Sequence, residues 1–120
     1  MRYLRAENRA RGTVLGTRIG LADRWWYRLR GLLGRSTLGD GEGLLLRPCR
    51  AVHMAWMAFP LDVAFLDARG GVVASYHALP PGGRTRWHTD ARDALELPAG
   101  TLARTGTVNG DTIVYTEVGS

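Results

Sequence analysis

Two apolar runs, Leu61-Asp62-Val63-Ala64-Phe65-Leu66-Asp67 and Gly71-Val72-Val73-Ala74-Ser75-Tyr76-His77, flank the short stretch Ala68-Arg69-Gly70. A tight glycine-containing turn between apolar runs is the signature of a β-hairpin. A lone hairpin is marginal in water and needs further strands or a helix against it. This feature therefore commits the chain to a sheet with a buried face, and the remaining segments have to supply it.

Several segments fit that demand. Thr13-Val14-Leu15-Gly16-Thr17-Arg18-Ile19 reads as a first strand, and Gly43-Leu44-Leu45-Leu46-Arg47 as a short buried one ending at Pro48. Val52 to Met57 reads as another, interrupted by Pro60. Ala94 to Leu97 resumes a strand before the turn Pro98-Ala99-Gly100. Thr101 stands where it can cap a short helix ended by Gly106. Asn109-Gly110 turns the chain into a last strand, Thr112 to Val118.

One segment switches period. At helical spacing Leu21, Ala22, Trp25, Trp26, Leu29, Leu32 and Leu33 fall within an arc of roughly 140°. Asp23 suits a helix start and Gly34 a helix end. The expected fold class is α+β, mainly β. It is a compact antiparallel sheet or small, partly closed barrel of about seven short strands. The amphipathic helix packs on it, with the two tryptophans as a plug.

The length of 120 residues suits one domain, read as a basic arm over 1–11 followed by a body over 12–120. All 16 cationic side chains are arginine, and the net charge is +5. Residues 1–35 hold nine arginines against Glu7 and Asp23, whereas residues 36–120 carry seven arginines against nine acids. The basic excess is therefore local and hints at an anionic partner. Cys49 is the single cysteine, so no internal disulfide forms and a reducing compartment is expected. No stretch has the length of a membrane span, and the first residues lack the apolar run of a signal peptide. A cytoplasmic monomer is the expectation.

Four segments carry a resemblance. They are Arg30-Gly31-Leu32-Leu33-Gly34-Arg35, Gly41-Glu42-Gly43-Leu44-Leu45-Leu46, His53 through Asp67, and Ala94-Leu95-Glu96-Leu97-Pro98-Ala99-Gly100 with Gly110-Asp111 further on. In order and spacing the chain resembles the domain-of-unknown-function family 192 from about residue 12 to its C-terminus. The third segment is the most specific, with Trp56-Met57 and Pro60-Leu61-Asp62 in the places of the family's Trp-Met or Gly-Met pair and its apolar-Pro-Leu/Ile-Asp turn. Many members carry Lys-Asn-Thr after the Met, where this chain has Ala58-Phe59. Many members are also exported. The resemblance implies a fold and no settled activity.

Candidate chemistry falls in three places. Cys49, His53 and Met57 are spaced four apart and are all metal-ligand types. In a strand that spacing separates neighbours by about 13 Å, so no metal site and no cofactor is expected. His53 and Asp62 could form an acid–base pair across the Pro60 turn, although an Asp beside such a turn commonly accepts backbone N–H bonds. The polar stretch 80–93, with Arg84, Arg86, Trp87 and His88, offers guanidinium groups and an aromatic side chain for an anionic ligand. Trp56 and Met57, on the rim that runs from His53 to Asp62, are expected to contribute to the same ligand site.

The leading expectation is a non-enzymatic binding or accessory module that recognises a partner protein or a small anionic ligand. One alternative is a small hydrolase using His53 and Asp62, with Cys49 as nucleophile. Another is a nucleic-acid accessory protein using the arginine-rich first third. The first leads because no complete catalytic constellation is present: there is no Gly-x-Ser-x-Gly elbow, phosphate loop or His-Glu-x-x-His pair.

Overall fold

The computed structural model describes residues 1–23, 37–55 and 57–119. Seven strands are present among them: β1 (Arg2–Asn8), β2 (Thr13–Ala22), β3 (Glu42–Leu46), β4 (Leu61–Leu66), β5 (Val72–Leu79), β6 (Asp93–Pro98) and β7 (Ile113–Glu117). One short helix, α1 (Thr101–Thr105), precedes β7. The strands form one sheet in the order β5-β4-β6-β3-β2-β1-β7.

The sheet curls until its edges approach. Gly71 bridges Thr112, Ile113 N–H donates to the Gly70 carbonyl at 2.8 Å and Val72 N–H to that of Asp111 at 2.8 Å. This is a mixed, mainly antiparallel sheet and a partly closed barrel. Its inner cluster draws Leu4, Leu15, Ile19, Leu45, Leu66, Leu95, Leu97 and Ile113 from the strands and Leu102 from α1. A second cluster lies on the outer face of β3, β4, β5 and β6. There Leu44, Leu61, Val63, Phe65 and Ala94 pack under Leu38, Val52, Met54, Phe59 and Ala91. The two apolar layers together bury the surface that stabilises the fold.

The expected hairpin is present as β4 and β5, paired antiparallel. Its turn needs Gly70, whose φ is 85°, a backbone region that side chains avoid. A Cβ there would also run into the Ile113 carbonyl. The strands expected near residues 43, 94 and 112 are present, and Gly106 ends α1 with φ 70°.

Four features differ from the sequence reading. Residues 1–11 are not a free arm, because Arg2–Asn8 is a strand held between β2 and β7. Its alternation of buried Leu4, Ala6 and Asn8 with half-buried Tyr3, Arg5 and Glu7 is the period of a strand, masked in the sequence by its charges. Leu21 and Ala22, assigned above to a helix, belong to β2; the rest of that helix, with Trp25 and Trp26, lies outside the described residues. The described residues of Val52 to Met57, expected above as a strand, form none, and the one ladder contact among them is the bridge of His53 to Arg84. The sheet is not wholly antiparallel, since β2 and β3 pair in parallel.

Buried polar groups fasten the barrel. Asn8 donates to Thr107 Oγ1 and Asp111 Oδ2, both at 3.0 Å, tying β1 to the turn before β7. The Arg11 guanidinium, Asn8 and the Val108 N–H hold the Asp111 carboxyl at about pKa 2. Ala78 adopts φ 50° at the irregular end of β5. A left-handed alanine costs about 1 kcal/mol, so Ala78→Gly is expected to raise unfolding free energy by up to that amount in urea titration. Unchanged or lower stability would show that the strain is absent.

Candidate functional site

Two irregular segments, 49–55 and 80–92, run beside each other over the outer face. Thr85 N–H donates to the Val52 carbonyl at 2.9 Å, Met54 N–H to Gly83 at 2.7 Å, and His88 N–H to Arg50 at 2.8 Å. Thr85 Oγ1 accepts from Val52 N–H, and Arg50 Nε donates to the Ala91 carbonyl. The two stretches proposed separately as a rim and a loop are thus one strap, joined at His53 and Arg84. Val52, Met54, His88 and Ala91 face the sheet, whereas Arg50, His53, Arg84, Arg86 and Trp87 face solvent.

Trp87 is 61% exposed. An indole carries a large apolar surface that a folded chain ordinarily covers. Here it stands on a pinned strap next to Arg86, whose Nη1 donates to the Trp87 carbonyl at 3.2 Å. His88 turns the other way. Its ring lies 4.5 Å from Phe65, and its Nε2 shares a 2.7 Å hydrogen bond with the Tyr76 hydroxyl. Burial, aided by the Arg86 charge, pushes the His88 pKa below the usual histidine range. The neutral imidazole is therefore the form that anchors the strap at neutral pH.

His53 and Asp62 are not joined. His53 is exposed on the strap. Asp62 is fully buried and accepts from Ala78 N–H at 2.8 Å, Gly100 N–H at 3.1 Å and Leu102 N–H at 2.9 Å. That is the backbone-bonding role expected of an aspartate beside a turn. Cys49 is half-buried with its Sγ 3.2 Å from the Ala51 carbonyl, and Met57 packs against the outer cluster. Trp56 lies outside the described residues. Among the described residues no three His, Cys, Asp or Glu side chains gather where they could hold a metal ion.

Two acids not singled out in the sequence stand out. Asp93 is 1% exposed and clamped by Arg47 (3.0 and 3.0 Å) and Arg92 (3.1 and 3.0 Å) at the end of the barrel away from α1. Glu96 lies mid-strand on β6 with its side chain on the outer face, between its register partners Leu44 and Val63. It is 7% exposed, and burial pushes its carboxyl up to about 7. The legible signal was a lone acid in the apolar run Ala94-Leu95-Glu96-Leu97.

Together these features define a small mixed β-barrel domain with a basic, aromatic strap over one outer face. The family model described as Uncharacterized ACR, DUF192, matches residues 6–115, and the chain belongs to this family. It is similar to a candidate transcription regulator from Sinorhizobium meliloti 1021, with a TM-score of 0.77 and 24% identity over 95% of this chain and 92% of that one. A protein of unknown function from Novosphingobium aromaticivorans DSM 12444 also aligns at TM-score 0.77 and 24% identity, over 93% and 83% of the two chains. These likenesses establish the fold. No curated protein matches the chain. Among the described residues no helix is long and apolar enough to cross a membrane.

Proposed function

We propose that this protein is a monomeric, cytoplasmic binding module that recognises an anionic group through Arg84, Arg86 and Trp87. The phosphate or carboxylate would be carried by a small ligand or by an acidic segment of a partner protein. The observation that carries this reading is the 61% exposure of Trp87 on a backbone-pinned strap beside two exposed arginines. Guanidinium groups pair with oxyanions in bidentate fashion, and an indole face supplies apolar contact at little entropic cost. Pinning the strap limits the ordering cost of binding.

The alternatives have less support. A hydrolase needs an ionisable pair within reach, and the Asp62 carboxylate is already engaged by three backbone N–H groups. A nucleic-acid role, which the Sinorhizobium neighbour's description favours, needs open cations. Of the five arginines among residues 1–23, Arg2, Arg5 and Arg11 pair with Glu117, Glu7 and Asp111, and Arg18 stacks on Tyr3; Arg24, Arg28, Arg30 and Arg35 lie outside the described residues.

Fluorescence titration with pyrophosphate, citrate and an aspartate-rich peptide tests the proposal. Binding of the first two marks a small ligand, and binding of the peptide marks a protein partner. Changing Arg84 and Arg86 together to alanine should weaken the binding probe by about tenfold or more. Absence of binding to the native chain, or undiminished binding by the double variant, would remove this reading.

A further inference from the structure

The chain buries four described carboxyls, and the fold treats one of them differently. Asp62 receives three backbone N–H bonds. Asp93 receives two guanidinium groups. Asp111 receives Asn8, Arg11 and the Val108 N–H. Glu96 is 7% exposed and has no hydrogen-bond partner among the described residues. Buried polar groups in folded proteins are almost always partnered, and an unpartnered one calls for a cause. A fold that satisfies its other three buried acids this fully is not careless with the fourth.

The position of Glu96 indicates which kind of group would pair with it. Its carboxyl lies in the outer layer, with Leu44 on one side and Val63 on the other. Ala94, two residues earlier on the same face, belongs to the outer apolar cluster. We propose that this face carries a small-molecule site that takes a protonated amine or guanidinium group on an apolar body, with the Glu96 carboxylate as its ionic anchor. Divalent cations fit poorly, since they take several oxygen ligands and no cluster of three or more ligating side chains exists among the described residues. A charge-assisted hydrogen bond shielded from water is strong, and the apolar neighbours Leu44, Val63 and Ala94 favour a ligand with a hydrocarbon portion. This goes beyond the strap proposal, because the ligand charge is opposite and neither strap arginine is involved.

Proton linkage gives the site a signature. Burial alone holds the Glu96 carboxyl protonated up to about pH 7, and a cation binds its ionised form. Affinity should therefore rise about tenfold per pH unit below that value and level off above it, with one proton released. The other ionisable groups around this layer are Glu42 on β3, Tyr76 on β5 with His88, and Cys49 and His53 on the strap. None of them appears among the causes of the Glu96 shift.

Calorimetric titration of the full chain with methylguanidinium, butylammonium and agmatine, at pH values either side of neutrality, provides the test. At least one probe should bind, with the stated rise in affinity. Glu96→Gln should weaken it by about tenfold or more, and the double Arg84/Arg86 alanine variant should bind it normally. Failure of all three probes at millimolar concentration, a pH-independent affinity, or equal binding by Glu96→Gln would each overturn the proposal. Its failure leaves the anion titrations untouched, so the two readings are judged separately. The pH profile of the native chain decides the matter even if the variant folds poorly.

Discussion

Glu96→Gln is expected to unfold at about 3 kcal/mol higher free energy than the native chain at pH 8, and at nearly the same free energy at pH 4.5. The magnitude follows from linkage. Burial raises the Glu96 carboxyl from its ordinary 4.5 to about 7, and each pKa unit between folded and unfolded states is worth about 1.4 kcal/mol. The sign is that of a raised acid. Below pH 4.5 both states hold the proton and the residue adds no pH-dependent penalty. Between the two values the unfolded chain releases its proton while the folded chain keeps it, so stability falls as pH rises. The loss is complete above the folded value. Glutamine has nearly the same shape and never ionises, and no hydrogen bond is lost in the exchange.

Urea titrations of both proteins at the two pH values give the result as a double difference. Other titrating groups, such as the lowered His88 and the strongly acidic Asp111, contribute equally to both proteins and cancel. A double difference below about 1 kcal/mol would mean that Glu96 is solvated or partnered in solution. A stabilising substitution in the middle of a barrel strand indicates a side chain kept for something other than folding. The same variant should be the more stable one and the one that fails to bind a cation, a combination that a purely structural role does not produce.

Local chemistry made much of this fold legible. The β4–β5 hairpin, β6 and β7 were visible because alternation, apolar runs and glycine turns are read within ten residues. Strand β1 was hidden because Arg2, Arg5 and Glu7 make a charged start, although Leu4, Ala6 and Asn8 are the side that is buried. The parallel pairing of β2 with β3 and the placement of β6 between β3 and β4 join residues far apart in the chain, which no local pattern encodes. The candidate surface divides in the same way. Trp87, Arg84 and Arg86 could be picked out as a polar, aromatic loop. Their contact with the His53 segment rests on backbone bonds such as Thr85 to Val52, and these cross a hairpin and two turns. His88 looked like its neighbours in sequence. Only the approach of Phe65 and Tyr76 turns it inward. Glu96 was conspicuous as an acid among leucines, but its lack of a partner is a property of three strands at once.

Asp62→Ala is expected to cost about 4 kcal/mol, the largest loss argued for this chain. One carboxylate accepts the N–H groups of Ala78, Gly100 and Leu102, and so joins β4 to the irregular end of β5 and to the start of α1. Alanine would leave three backbone donors without their acceptor beneath a residue that is fully buried. Each such donor forfeits roughly 1–3 kcal/mol, partly recovered where water reaches it. Asp62→Asn should fall between, because its single carbonyl oxygen replaces one acceptor and its amide opposes another N–H. Leu102 is the α1 residue in the inner cluster, so the damage should spread from the turn into the barrel. Amide exchange should accelerate at Ala78, Gly100 and Leu102 before it does in β1 and β2. His53→Ala, on the exposed strap, should leave stability within about 0.5 kcal/mol of the native value. If Asp62→Ala instead costs less than about 1 kcal/mol, the three hydrogen bonds do not hold the barrel end together. Asp62 would then be open to the acid–base role that its present partners deny it.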